Sequence, residues 1–243
     1  MLFMKNIVLL AAFTAIGLFS FAQNEKVIKD ANAQARSVSG FHAIHVSGGI
    51  DLYLSQSSAE AVAISASSSE TRDRIRTEVV DGVLRIYLEN DGFHWRNWGD
   101  RKMKAYVSCK VLDGLKASGG SDVYIEDAVK SDKLGIDLSG GSDLRGKVDS
   151  HDLTITQSGG SDSYISGSAS HFSIHASGGS DFHGKDFNTD ESRVEASGGS
   201  DVHVVVNKEL TVNASGGSDV YYSGSGALKE SHVSGSATVS RKG

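Results

Sequence analysis

The chain has 243 residues, enough for one or two domains with a sizeable core. Its net charge is −6, which excludes the clustered Lys and Arg of a nucleic-acid binder. It holds 28 Gly, no Pro and a single cysteine, Cys109, so no intramolecular disulfide can form.

Residues 1–22 read as a secretory signal peptide. Lys5 gives a basic start, Ile7 to Phe21 is apolar, and Ser20-Phe21-Ala22 is a small-x-small cleavage pattern before Gln23. The run is short for a membrane span, so the mature chain is expected to be exported and not membrane-integral. The destination is the periplasm, the outer-membrane surface or the extracellular space. Residues 23–37 form a polar, Ala-rich leader. Residues 38–114 read as an irregular β region that caps the regular part of the chain. Phe41–Val46, Leu52–Leu54 and Ala61–Ala66 alternate in hydropathy, and Ser69–Arg74 suits one helical turn capped by Ser69. Ile75–Val80 and Val83–Leu88 flank Asp81-Gly82, a strong hairpin signal. Met103–Val111 is a further strand, with Cys109 in a buried position.

Between the hairpin and Met103 lies Asn90–Lys102. It holds both tryptophans, Trp95 and Trp98, with Phe93, His94, Arg96 and Arg101. Two functions fit: a carbohydrate- or partner-binding loop using indole faces, or a plug for the end of the core.

From Ser118 the chain repeats one word. Ser-Gly-Gly-Ser-Asp begins at Ser118, Ser139, Ser158, Ser177, Ser197 and Ser215, at spacings of 21, 19, 19, 20 and 18 residues. A fixed period near 20 signals a solenoid. Three residues before each word stand Leu115, Ile136, Ile155, Ile174, Val194 and Val212. Directly after it stand Val123, Leu144, Ser163, Phe182, Val202 and Val220. Alternation on both sides means strands with one wet face, and the Gly-Gly pair supplies the positive φ of a sharp corner. Asp127–Asp132 and Asn188–Glu191 read as a second, polar turn. The predicted fold is all-β: a parallel β-helix-like solenoid of about 20-residue coils over residues 115–240, with like residues stacked in columns.

Several of these segments carry a family resemblance. Phe41 to Leu54, containing Val46-Ser47-Gly48-Gly49-Ile50-Asp51, is similar to the opening of the bacterial putative auto-transporter adhesin, head GIN domain family. So is Thr77-Glu78-Val79-Val80-Asp81-Gly82-Val83-Leu84-Arg85-Ile86-Tyr87. The serial words resemble that family's Ser-Gly-Ala-Ser-Asp words, with Gly replacing Ala. The resemblance spans about Val38 to Ser240. It implies a β-helix-like fold and export, and it brings no catalytic residues.

Two outward columns are candidate sites. Asp122, Asp143, Asp162, Asp181, Asp201 and Asp219 would stand one rung apart, with mutual repulsion of about 1 kcal/mol each even in water. Bound Ca²⁺ could offset this, but the sequence favours hydrogen bonds from each corner's own N–H groups and hydroxyls. Two residues on stand Tyr124, Arg145, Tyr164, His183, His203 and Tyr221, preceded by Tyr53. This ladder suits either a sugar chain lying along the solenoid or cross-rung stacking that only stabilises the sheet. His183 and His203 alone are a weak metal signal.

No nucleophile elbow, His-Glu-x-x-His or phosphate loop occurs. The leading reading is a non-enzymatic, adhesin-like or glycan-binding module at the cell envelope. The alternatives are a pectate-lyase-like polysaccharide lyase or hydrolase, with Asp137, Asp143, Arg145 and Lys147 as its acids and bases, or a structural spacer.

Overall fold

A computed structural model describes residues 30–89 and 102–242. The expected signal peptide, and Phe93, Trp95, Arg96 and Trp98 of the aromatic loop, lie outside the described residues. The N-terminal part contains β1 (Gln34–Arg36), β2 (Ala43–Ser47), β3 (Asp51–Gln56), β4 (Ala61–Ser65), a short helix α1 (Ser69–Asp73), β5 (Ile75–Val80), β6 (Val83–Leu88), β7 (Lys104–Cys109), β8 (Gly114–Ser118) and β9 (Val123–Ile125). Long strands come next: β10 (Val129–Ser139), β11 (Leu144–Ser158), β12 (Ser163–Ala176), β13 (Phe182–Ala196) and β14 (Asp201–Ala214). Three shorter ones close the chain, β15 (Asp219–Ser223), β16 (Ala227–Val233) and β17 (Thr238–Arg241).

The architecture is a β-solenoid of about seven turns and roughly 19 residues per coil. On the flank before each corner the parallel order is β6, β2, β8, β10, β11, β12, β13, β14, β16. On the flank after it the order is β7, β3, β9, β11, β12, β13, β14, β15, β17. Leu115, Ile136, Ile155, Ile174, Val194 and Val212 stack in register, each at most 2% exposed. The column continues through Ile44 to Leu84, so β2 and β6 supply rungs of the same core.

Coil lengths differ, yet the corners stay aligned. The 20-residue coil from Ser177 and the 18-residue coil from Ser197 are absorbed by register shifts between Tyr164 and Ser166, between His183 and Asn188, and between Thr189 and Glu191. These bulges sit away from the word, where spare residues can face solvent. The expected polar turn Asn188–Glu191 is a bend inside continuous β13. The helical turn forms as expected, but its cap is Ser68, whose hydroxyl accepts from the Thr71 N–H at 3.1 Å. Ser68 has the extended backbone a cap requires.

The N-terminal region is the irregular one. β1–β4, β4–β7 and β5–β6 pair antiparallel. Chain order also differs from rung order: β6 and β7 lie outside β2 and β3, at the end of the stack. Every inner rung turns between its flanks through a Ser-Gly-Gly corner, whereas residues 89–103 connect the end rung. Cys109 is fully buried, and burial pushes its thiol up to about 11.

One buried column was not expected. The second Ser of each word, Ser121, Ser142, Ser161, Ser180, Ser200 and Ser218, has no exposed surface. Each word places Ser inward and Asp outward immediately before the inward apolar residue. Buried hydroxyls need partners, and all six have one. Ser161, Ser180, Ser200 and Ser218 donate to the carbonyl of the first Ser of their own word at 2.9–3.0 Å. Ser121 and Ser142 accept from the N–H groups of Ile50 and Ser121, both at 3.1 Å.

Candidate functional site

Because side chains alternate, the Asp of each word and the residue two further on share the outer face. The register makes the second column continuous. From the end rung inward it runs Tyr106, Tyr53, Tyr124, Arg145, Tyr164, His183, His203 and Tyr221. Six of these match the predicted ladder and Tyr53 precedes them. Tyr106 was missed because β7 lacks the word, although Lys104-Ala105-Tyr106-Val107 repeats the alternation of Asp51-Leu52-Tyr53-Leu54.

The rings use their faces on each other. Tyr53 stacks on Tyr106 and on Tyr124 with centroids 5.2 Å apart in both pairs. Arg145 lies over the Tyr164 ring at 4.1 Å, and Tyr164 stacks on His183 at 4.4 Å. His183 and His203 stack at 6.0 Å, and His203 meets Tyr221 at 4.7 Å. Lys242 closes the column 4.6 Å from the Tyr221 ring centre. Cross-rung stacking therefore runs in two stretches, Tyr106 to Tyr124 and Arg145 to Lys242. What faces outward is ring edges, hydroxyls, imidazole nitrogens and a guanidinium.

The Asp column is organised differently from expectation. Four of the six carboxylates accept from the backbone of the next rung, not from their own corner. The N–H groups of Asp143, Asp162, Asp181 and Asp201 donate to Oδ1 of Asp122, Asp143, Asp162 and Asp181, at 3.1–3.2 Å. Such a bond stabilises the charged carboxylate while repelling neighbours stay one rung away. The scheme weakens at Asp201, because the Asp219 N–H donates to the Ser200 carbonyl at 3.0 Å and reaches the Asp201 carboxylate only as a secondary partner. Burial, then Asp181 and Asp219, raise the pKa of Asp201. Asp51, at the other end, is raised by burial and by Asp122. Asp219 instead accepts from the Thr238 hydroxyl at 2.6 Å.

The two columns touch. Tyr221 Oη donates to Asp219 at 3.2 Å, Tyr124 Oη to Asp122 at 3.5 Å, and Arg145 Nη2 to Asp143 at 3.4 Å. The Asp219 bond raises the Tyr221 pKa, and burial followed by Asp122 raises that of Tyr124, so both hydroxyls stay donors. Burial, then Lys185 and His183, lower His203, whose Nδ1 is buried without a hydrogen-bond partner. The face thus offers a row of ring and guanidinium groups beside a parallel row of carboxylate acceptors.

The lyase-like set does not gather. Asp143, Arg145 and Lys147 follow a corner, whereas Asp137 precedes one and lies on the other flank. There, a groove of about 860 Å³ is lined by Arg85, His45, Lys116 and Asp137. The four are register neighbours on successive rungs. Burial, then Lys116 and Arg85, lower the His45 pKa.

Residues 40–226 match the family described as putative auto-transporter adhesin, head GIN domain. The chain belongs to that family. No curated protein matches it. A crystal structure of a putative adhesin from Bacteroides fragilis superimposes with a TM-score of 0.75 at 18% identity, covering 86% of this chain and 94% of that one. A putative lipid binding protein from Parabacteroides distasonis gives 0.65 at 19%, covering 88% and 98%. A putative adhesin from the same species gives 0.66 at 21%, covering 86% and 96%. At these identities the likeness is one of fold. No helix of the described residues is long and apolar enough to cross a membrane.

Proposed function

We propose that this head GIN domain protein is an exported, non-enzymatic adhesin-like module. In this reading its outer ladder is the contact face for a hydroxyl-rich chain such as a surface glycan. The observation that carries the reading is the continuous row from Tyr106 to Tyr221, beside a parallel row of carboxylates. One polar tip per rung repeats every ~4.8 Å along the stack, which suits a polymer and not a compact small molecule. Ring faces are occupied by neighbours, so recognition runs through hydrogen bonds and ring edges, with Asp carboxylates accepting from sugar hydroxyls. Membership in an adhesin family and the adhesin names of its structural neighbours support the surface role. The lipid-binding description of one neighbour fits the same envelope setting. Of the acids and bases named for a lyase, Asp137 stands on the other flank, apart from Asp143, Arg145 and Lys147.

The test is a glycan array and whole-cell binding with the mature chain. Arg145→Ala and Tyr164→Ala should each weaken binding by about tenfold or more, since each removes a hot-spot type of side chain. Binding undiminished in both would refute the ladder as contact face. Trp95→Ala and Trp98→Ala, assayed alongside, assign the contact to the loop if only they abolish binding.

A further inference from the structure

Opposite the glycine corners, the coils bend inside the long strands, and one bend carries a convergence of metal-ligating groups. Ser150 fixes this bend by donating its hydroxyl to the Asp152 carbonyl at 2.9 Å. The register skips His151: Ser150 pairs with Ala169, and Asp152 with His171. Consecutive residues that would diverge in a straight strand therefore come together at the bend. Oδ1 of Asp152 lies 3.2 Å from Nδ1 of His151 and 2.8 Å from Nδ1 of His171. The two imidazoles meet edge to face with centroids 5.0 Å apart.

The geometry points to a divalent transition-metal site, of the Zn²⁺ class, formed by His151 Nδ1, His171 Nδ1 and Asp152 Oδ1. Bonds of about 2.0–2.2 Å in a tetrahedron place ligand atoms about 3.3 Å apart. The observed 2.8 and 3.2 Å need open by only a few tenths of an ångström. Two imidazoles and one carboxylate select Zn²⁺, Cu²⁺ or Ni²⁺ over Ca²⁺, which prefers six or more oxygens. A further carboxylate completes the pattern: Glu191 Oε2 lies 3.9 Å from Nε2 of His171. A small side-chain adjustment lets it accept from that nitrogen and fix the tautomer that leaves Nδ1 free for metal. The three ligands are on the surface, so the fourth position opens outward, where water or a ligand side chain of another molecule can enter. This site is separate from the Tyr and His ladder and does not rest on the glycan reading.

The experiment is calorimetric titration of tag-free mature chain with Zn²⁺, paired with Co²⁺ absorption for coordination geometry. One equivalent should bind per chain, with ligand-field bands of a low-symmetry N/O site. His151→Ala and His171→Ala should each weaken Zn²⁺ binding by about tenfold or more, and Glu191→Gln by about tenfold. His232→Gln, at a distant exposed imidazole, should leave it unchanged, and the far-UV circular dichroism of all variants without metal should match wild type. Absence of Zn²⁺ binding would overturn the site. So would binding that survives both histidine substitutions, or a stronger response to Ca²⁺ than to Zn²⁺.

Discussion

The first corners and the later ones share Ser-Gly-Gly and have different backbones. At Ser47, Ser118 and Ser139 both glycines of the corner have positive φ, as with Gly119 at 65° and Gly120 at 73°. From Ser158 onward only the first does: Gly198 is at 76° and Gly199 is not positive. These are the dihedral signs of type I′ and type II′ turns, which differ by a flip of the central peptide. The hydrogen bonds flip too. Gly120 N–H donates forward to the Gly140 carbonyl at 3.1 Å, whereas Gly199 N–H donates backward to the Gly178 carbonyl at 2.7 Å. In early corners the buried Ser hydroxyl accepts, as from Ser121 N–H to Ser142 Oγ at 3.1 Å. In later ones it donates, as from Ser200 Oγ to the Ser197 carbonyl at 3.0 Å. A corner's conformation is therefore set by the rung it stacks on and not by its five residues alone. The change falls at the coil holding Gln157. Its Nε2 donates to the Ser161 carbonyl at 3.3 Å, and its Oε1 accepts from Ser163 at 2.6 Å.

The sharpest way to break this comparison is to add one methyl group at matched positions. At Gly198 an added Cβ would stand 2.6 Å from the Gly178 carbonyl oxygen, in a backbone of positive φ. Gly198→Ala should lose roughly 3 kcal/mol or more, since neither backbone can yield. At Gly199 the nearest atom is 3.8 Å away and φ is ordinary. Gly199→Ala should be neutral or stabilise by about 0.4–1 kcal/mol. Gly120→Ala, the same place in an early word, should lose about 1–2 kcal/mol because φ is positive there. Urea denaturation of the three variants checks this, and equal losses at Gly120 and Gly199 would remove the distinction between corners.

A smaller effect addresses what sets the boundary. Gln157→Leu leaves the buried Ser163 hydroxyl without its acceptor and should lose about 1–3 kcal/mol. Adding Ser163→Val restores an all-apolar pair and should recover most of that loss. A crystal structure of the double variant with both Gly159 and Gly160 at positive φ would identify Gln157 as the residue that moves the boundary. An unchanged Gly160 would assign it to the rungs beyond.

Much of this architecture is legible in the residues alone, because period and alternation act on every coil alike. The column from Leu115 to Val212 and the outward ladder from Tyr124 to Tyr221 come from counting residues around the word. The peptide flip is not legible, since six copies of the word are identical. Nor is the rung order of β6, β2 and β8, because a hairpin carries the chain back past its first coil. Gln157 and Ser163 are visible as polar breaks in apolar columns, but only stacking shows that they satisfy each other. The convergence of His151, Asp152 and His171 depends on a bend inside a strand, which hydropathy does not mark.

The smallest expected effect lies where the later corners weaken the Asp ladder. At Asp201 the next rung's N–H is shared with the Ser200 carbonyl, and burial with Asp181 and Asp219 raises the pKa more than that weakened bond lowers it. A carboxyl raised in the folded chain holds its proton more tightly there than when unfolded. Its favourable contribution is full below the unfolded value of about 3.9 and is lost as pH rises through the folded value. Asp152 and Glu195 run the other way. Hydrogen bonding from His171 to the first, and from Arg193 to the second, lowers their pKa, so their contribution disappears on acidification. Asp201→Asn should therefore raise Tm at neutral pH by about 1–2 °C, a small gain because the group is partly solvated. The gain should vanish below about pH 4, where the wild-type carboxyl is already neutral. Asp162→Asn, at a rung whose carboxylate does accept the next N–H at 3.1 Å, should bring no such gain. Equal gains from both substitutions would mean that general repulsion along the column, and not the weakened bond at Asp201, governs the ladder.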